Sequence, residues 1–331
     1  MHAIVQDRYG SAAVLEARDL EQPVIADDEV LIRVRAAGVN IADWAIMNGL
    51  PYIARPVYGL LRPKQAVRGT DVAGVVEAVG AAVTRFQPGD EVFGWSDGSY
   101  AEYAAAPEAK LALKPVNLTF EQAAAVPMAG LVALQALRDH GNVQPGQTVL
   151  INGASGGIGT FAVQIARALG AHVTGVTSTR NVDLVRSIGA DHVIDYTRED
   201  FTQSGKTYDL ILDNVANHSL AELRNVLTPT GVLIPNGGGF DHRWLASGGR
   251  LVRATMLFQF GGQKLGNFLM GTNHEDLVTL KELIEAGKVT PVMDRTFPLS
   301  ETAQAMRHVG DGHARGKVAI TIPLPSGGAA N

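Results

Sequence analysis

The chain contains no cysteine in 331 residues, which removes disulfides, thiolate nucleophiles and every cysteine-ligated zinc site together. Histidine occurs nine times but never as a pair on one helical turn with a glutamate between, so no metal site is expected. No uncharged run is long enough to span a bilayer, and the opening "MHAIVQDRYG" lacks the basic-then-apolar order of a secretory leader. A cytoplasmic location without a membrane partner is the expectation. The net charge of −5 argues against a nucleic-acid partner, because phosphate binding needs clustered Lys and Arg.

What is present is an ordinary globular composition, 46% hydrophobic and 18% charged, on a chain long enough for two cores. Up to Pro115, short valine-rich runs such as "EVLIRVRAAGVN" and "DVAGVVEAVG" are broken by Gly, Pro and Asp, the pattern of a β-rich domain. The segment "GLPYIARPVYGLLRPKQAVRG" holds three prolines and reads as an irregular loop. Near Thr119 the text turns helical: Thr119 is placed to cap and Gln122 to complete a capping box, with an interruption at Pro127. Strands "TVLIN", "HVTGVT", "HVIDY", "YDLILDNV" and "GVLIPNG" then alternate with helices, predicting a parallel sheet covered on both faces. Gly170 and Gly189 stand where helix C-caps belong. After Gly261 come an amphipathic helix, "NHEDLVTLKELIEAGKV", and a last strand, "GKVAITI"; the tail "PSGGAAN" reads as disordered.

Between "TVLIN" and the next helix lie Gly153, Gly156, Gly157 and Gly159. Glycine permits a sharp turn and close approach of backbone to a pyrophosphate, which the N-terminus of the helix then stabilises. An ATP-type loop would place a lysine after its last glycine, and "GIGTFAV" has none. The second strand ends in Ser178, Thr179 and Arg180, where an NAD site usually carries an acid for the ribose 2′-hydroxyl. Hydroxyls and a guanidinium suit a 2′-phosphate instead, so NADPH is the expected cofactor.

"AAGVNIAD", "GTDVAGVVEAVG", "FQPGDEVFG", "GSYAEY", "AAAVPMAGLVALQAL", "GQTVLINGASGGIGTFAVQIARALGAHV", "STRNVDLVRSIGADHVIDY" and "ARGKVAI" together resemble, over nearly the whole chain, the medium-chain dehydrogenase/reductase superfamily in its zinc-independent quinone oxidoreductase branch. Short-chain dehydrogenases share a similar loop but place it near the N-terminus and use a Tyr-x-x-x-Lys pair, and no tyrosine here has a lysine four places on. The resemblance implies an α/β chain of three segments. Residues 1–122 would form a substrate-side, chaperonin-10-like β domain, 123–260 a Rossmann doubly wound domain, and 261–331 a return to the first domain. It also implies a homodimer.

In zinc-dependent members the ligand positions hold Cys, His and Glu; here Asn40, Thr70 and Asp71 stand there, Met128 replaces a further Cys, and Ala42 occupies the place of the proton-relay hydroxyl. The match places Gly153, Ser155, Gly156, Gly157 and Ile158 along the pyrophosphate, Ser178, Thr179 and Arg180 at the 2′-phosphate, and Tyr196 near the adenosine. Asn214 and Asn236 fall at strand ends, and Arg315 and Lys317 are candidates to close on the phosphates. Where many relatives have a threonine near the nicotinamide, this chain has Val132.

The implied reaction is metal-free hydride transfer from NADPH to a quinone or α,β-unsaturated carbonyl. Asn40 is the first candidate donor to the developing oxyanion, and Tyr52 the second. Asp43 reads as a brace of its loop. Two alternatives stay open: an enoyl-thioester reductase, which would need a basic docking patch such as "LLRPKQAVR", and a cofactor-bound scaffold or RNA-binding protein with little turnover.

Overall fold

The run "EVLIRVRAAGV" buries consecutive side chains near both ends, Val30 to Ile32 and Ala36 to Val39, and alternates only between them at Arg33, Val34 and Arg35, the mark of a strand covered on both faces over most of its length. The computed structural model describes residues 1–236, 254–255, 257–258, 261–266, 270–312 and 314–323; the tail expected to be disordered lies outside them. The chain divides into two compact units. The first comprises Met1–Leu131, Thr272–Ala286 and Pro291–Asn331; the second comprises Val132–Gly271 and Gly287–Thr290.

The first unit begins with an antiparallel pair, β1 (His2–Val5) and β2 (Glu16–Asp19). Then follow β3 (Glu29–Val39), α1 (Ile41–Met47), the single turn α2 (Arg55–Tyr58), β4 (Asp71–Val79), β5 (Glu91–Trp95), β6 (Tyr103–Pro107), β7 (Leu111–Leu113) and α3 (Phe120–Ala124). The segment expected to be irregular thus contains a 3₁₀ turn at Tyr52–Ala54 running into α2. The Thr119 capping box forms as expected: Thr119 Oγ1 accepts from Gln122 N–H at 3.3 Å, and Gln122 Oε1 accepts from Thr119 N–H at 3.1 Å. Pro127 opens a new helix, α4 (Pro127–Gln135).

The second unit alternates strand and helix as expected; "TVLIN" and "HVTGVT" keep their bounds, the strands at "HVIDY" and "YDLILDNV" end one and two residues sooner, and the strand at "GVLIPNG" begins four residues earlier, at Leu227. Its elements are β8 (Thr148–Asn152), α5 (Gly157–Ala168), β9 (His172–Thr177), α6 (Val182–Ser187), β10 (His192–Asp195), β11 (Tyr208–Asp213), α7 (Leu220–Asn225), β12 (Leu227–Pro235) and the short β13 (Lys264–Leu265). All neighbours pair parallel in the order β10-β9-β8-β11-β12-β13. Counted from β8 this is the doubly wound order 3-2-1-4-5-6, with its switch point between β8 and β11. Leu150, Val176, Ile211, Leu223 and Leu233 share its buried core. Gly170 and Gly189 end their helices at φ +83° and +108°, conformations that only glycine adopts without strain.

The chain returns to the first unit with α8 (His274–Glu285), β14 (Met293–Pro298), α9 (Thr302–Gly310) and β15 (Lys317–Thr321). β14 pairs parallel with β15, and β15 antiparallel with β3, Val318 facing Val39. This completes a seven-stranded sheet, β14-β15-β3-β4-β5-β7, with β6 on β3. Ile32, Val34, Val72, Val92, Tyr100, Val318 and Ile320 fill its core.

Two expected boundaries move. The break drawn at 122/123 falls after Leu131, because α3 packs on β3 and β4. The return drawn at 261 begins at Thr272, because β13 pairs with β12 and Gln135 exchanges hydrogen bonds with Gly271. Gly287–Thr290 belong to the second unit, where the Gln164 amide binds both the N–H and the C=O of Thr290 at 2.8 and 3.0 Å.

Candidate functional site

The glycine loop leaves β8 through Gly153 at φ +81°. Gly159 stands so close to the loop that a Cβ there would meet Gly153 O at 2.1 Å, whereas one on Gly156 would find nothing nearer than that oxygen at 3.5 Å. One glycine is therefore needed for packing, and the other leaves a surface bare. Gly156 begins α5 without a side-chain cap, so the N–H groups of Gly157 and Ile158 are left to an anion. These residues fit a dinucleotide pyrophosphate.

Ser155 is fixed beside them, its Oγ accepting from Thr177 Oγ1 at 2.8 Å and from Asn181 Nδ2 at 3.0 Å. Asn181 Nδ2 also reaches Ser178 Oγ at 3.3 Å. Arg180 and Tyr196 are exposed at the ends of β9 and β10. Thr179 is a correction: its hydroxyl donates to Asp195 Oδ2 at 2.6 Å and lies 2.9 Å from Thr197 Oγ1, so it braces a carboxylate and its donor is not free for a phosphate. Asp195 was missed in the sequence. The hydrogen bond from Thr179, then those from the side chain and backbone of Thr197, hold its carboxyl below the usual range against a burial effect that raises it, and Arg198 Nε stands 3.4 Å from it.

At the switch point Asn152 Nδ2 donates to Asp213 Oδ1 at 2.9 Å, and that oxygen also receives Ala216 N–H at 2.9 Å. Asn214 Nδ2 donates to Asn152 O at 3.2 Å, and Asn236 Nδ2 to Asn214 Oδ1 at 2.7 Å. Asn214 and Asn236 thus form one amide chain across the carboxyl ends of β8, β11 and β12, the edge where doubly wound sheets bind ligands.

The first unit carries a second constellation. Asn40 ends β3 and begins α1; Asp43 Oδ2 accepts its backbone N–H at 2.9 Å and the Tyr100 hydroxyl at 3.3 Å, bracing the loop as expected. The Asn40 side chain is buried, with Nδ2 donating to Asp71 Oδ2 at 3.0 Å and Oδ1 accepting from the Lys317 ammonium. Met128 N–H donates to both Asp71 oxygens, at 3.2 and 3.3 Å. Lys317 Nζ lies 3.9 Å from Asp71 Oδ2, with 3% and 0% of the two side chains exposed. The expectation that Lys317 closes on phosphates is corrected: β15 pairs with β3 and turns this lysine into the sheet's interior. Arg315, two residues earlier, stays exposed.

Burial pushes the Asp71 carboxyl up to about 6 and the Asp43 carboxyl above its ordinary value. The cations oppose this, Lys317 foremost at Asp71 and Arg68 at Asp43. Burial also lowers the Lys317 ammonium, with both carboxylates acting against it. Two buried acids face two buried bases, the arrangement that makes interior charge tolerable. Among the described residues no three His, Asp or Glu side chains converge as metal ligands. Tyr52 is half-buried, its ring 4.4 Å from the Arg55 guanidinium.

A sequence profile for the alcohol dehydrogenase GroES-like domain matches residues 26–116, and one for zinc-binding dehydrogenases matches 188–320. The chain is 35% identical over 357 residues to a mitochondrial NAD(P)H oxidoreductase of Mus musculus, covering 97% of this chain and 89% of that one. It is 33% identical over 334 residues to a chloroplast envelope quinone oxidoreductase homolog of Arabidopsis thaliana, covering 97% and 98%. The solved quinone oxidoreductase from Coxiella burnetii superimposes with a TM-score of 0.85 at 29% identity, covering 98% and 99%. With the doubly wound sheet, the glycine loop and this full-length likeness together, the chain belongs to the medium-chain dehydrogenase/reductase family of oxidoreductases, in its quinone oxidoreductase branch.

Proposed function

We propose that this chain is an NADPH-dependent reductase that delivers hydride, without a metal, to a quinone or to the β-carbon of an α,β-unsaturated carbonyl. The observation that carries the reading is the Asn40–Asp71–Lys317 cluster. At the ligand positions of zinc-dependent relatives stand an amide and a carboxylate already bonded to Met128 N–H, with an ammonium beside them. A buried ammonium repels a dication, and these donors are a poor set for zinc.

When bound, the reduced nicotinamide supplies the hydride, and a quinone or enone accepts it because its own oxygen takes up the arriving charge. Asn40 has two amide N–H groups, of which Asp71 engages one. Lys317 at its carbonyl oxygen draws electron density from the amide and strengthens the remaining donor toward a developing oxyanion. Tyr52 is the second donor in this scheme, and solvent returns the proton. Gly153, Ser155, Gly156, Gly157 and Ile158 hold the pyrophosphate, Tyr196 lies along the adenosine, and Asn214 and Asn236 line the strand ends.

The preference for NADPH rests on Ser178 and Arg180, with Arg315 as a further cation. Asp195, at the end of the neighbouring strand β10, already accepts a hydrogen bond at each oxygen, from Thr179 and Thr197. The names of the mouse and Arabidopsis relatives, one an NAD(P)H and the other a quinone oxidoreductase, agree with this reading. It also includes a cytoplasmic homodimer.

The test is NADPH consumption with 1,4-benzoquinone, 9,10-phenanthrenequinone, trans-2-alkenals and a trans-2-enoyl thioester. Turnover with quinones or alkenals is expected. Fastest turnover of the thioester would favour the enoyl-reductase reading, and tight NADPH binding with no turnover the scaffold.

A further inference from the structure

From Trp44 to Thr70 the chain has Arg55, Arg62, Lys64 and Arg68 and not one Asp or Glu, in a protein whose net charge is −5. Within that stretch Ile53, Val57, Leu60 and Leu61 are between 62% and 86% exposed. Burying such side chains is favourable, so a cluster of four left in water within nine residues points to something that covers it.

The turn that carries them is firmly anchored. Arg55 Nε donates to Gly49 O at 3.0 Å, and its guanidinium stacks 4.7 Å from the Tyr9 ring. Tyr9 Oη donates to Gly59 O at 2.5 Å, and Lys64 N–H to Tyr58 O at 2.8 Å. At Gly59, φ +122°, a Cβ would strike Arg62 O at 1.9 Å, so the chain doubles back tightly there. Leu60 and Leu61 are therefore held out at the tip of a fixed turn, with Arg62 and Lys64 exposed beside them. Asp7, whose charge is felt by Arg62, is already paired with Arg18.

We propose that this turn seats on an anionic lipid surface, Leu60 and Leu61 entering the acyl boundary while Arg62 and Lys64 meet headgroup phosphates. A small apolar tip flanked only by cations suits a surface that supplies negative charge and needs no shape complementarity. A two-fold contact between copies would instead set the same cations against each other. Seating of this kind needs no spanning segment, and no helix among the described residues is long and apolar enough to cross a membrane. The proposal is independent of the identity of the hydride acceptor.

The experiment is co-sedimentation of the full chain with vesicles of phosphatidylcholine alone and with phosphatidylglycerol added. Binding is expected to the anionic vesicles only, and to weaken about tenfold when salt is raised enough to shorten screening from roughly 10 Å to a few ångströms. The double variant Leu60→Asp/Leu61→Asp should lower the partition coefficient about 100-fold, and Arg62→Gln/Lys64→Gln roughly tenfold or more. All four positions are exposed, so unchanged melting temperatures serve as the folding control. The proposal is overturned if the wild-type chain ignores anionic vesicles or if either double variant binds them equally well. It is also overturned if Leu60→Asp/Leu61→Asp dissociates an oligomer in light scattering without altering vesicle binding, which would make the patch a contact between copies.

Discussion

Lys317 and Asp71 place an ammonium 3.9 Å from a carboxylate where neither side chain is more than 3% exposed, and Asn40 joins them, its Oδ1 on the lysine and its Nδ2 on the aspartate. Positive charge at this point of the first unit is supplied by a side chain arriving from 277 residues along the chain from Asn40. Such a pair contributes to structure chiefly through what happens when one half is removed.

Lys317→Met should therefore cost about 3–5 kcal/mol in urea unfolding, because it leaves the Asp71 charge buried and unpaired. Lys317→Met combined with Asp71→Asn should cost less than the sum of the single changes by at least about 1 kcal/mol. Additive losses would mean that the two groups do not act on each other.

The pH dependence has a definite sign. Asp71 is raised from 3.8 to about 6, so the folded chain holds its proton more tightly than the unfolded chain. This stabilisation is complete below pH 3.8 and is lost as the pH climbs through 6, over a span of about 3 kcal/mol as an upper bound. Asp71→Asn cannot show that loss. The stability advantage of wild type over Asp71→Asn should shrink between about pH 4 and pH 7; an advantage that stays constant or grows would place the carboxyl at an ordinary value.

Asn40→Ala removes the bridge and the donor together, and the two consequences are read separately. If the remaining amide N–H meets the oxyanion, kcat should fall about 10- to 100-fold while the KM for NADPH stays within twofold. A loss of melting temperature with kcat unchanged would leave Asn40 a bridge alone.

The second unit was legible because its signals are local. "TVLIN" and "HVTGVT" became β8 and β9 residue for residue, since a buried parallel strand writes itself as an apolar run, and Gly170 and Gly189 took the positive φ that their places demanded. The polar clusters were not legible, because they depend on pairings between distant strands. Nothing in "ARGK" says that Lys317 turns inward; that follows from the antiparallel register of β15 on β3. Thr179 looked like a phosphate donor until β10 brought Asp195 to its hydroxyl. The boundary drawn at 122/123 fell short because a helix such as α3 carries no label for the sheet it will cover.

The two glycines of the loop should respond oppositely. Gly159→Ala puts a methyl 2.1 Å from Gly153 O and 2.8 Å from Ala154 backbone, and should cost about 1–3 kcal/mol or more in thermal unfolding. Gly156→Ala meets nothing nearer than 3.5 Å at an ordinary φ of −80°. It should leave the melting temperature unchanged and weaken NADPH binding at least about tenfold in a fluorescence titration, because the methyl occupies the approach of the pyrophosphate. Unweakened binding by Gly156→Ala would move the phosphate off this loop.

Arg180→Ala isolates the 2′-phosphate. A charge-assisted hydrogen bond is worth about 1.5–3 kcal/mol, which is roughly 10- to 100-fold in affinity. The substitution should raise the Kd for NADPH by that factor and leave NADH within about twofold, since NADH carries no group for the guanidinium to meet. Asp195 sharpens the test. In an NADH site a carboxylate would be open to accept the ribose hydroxyls, but here Thr179 and Thr197 donate to its two oxygens at 2.6 and 2.8 Å. Removing Arg180 should therefore lower the preference for NADPH without creating tight NADH binding. Equal weakening of both nucleotides would show that Arg180 supports the fold of this edge and reads no phosphate.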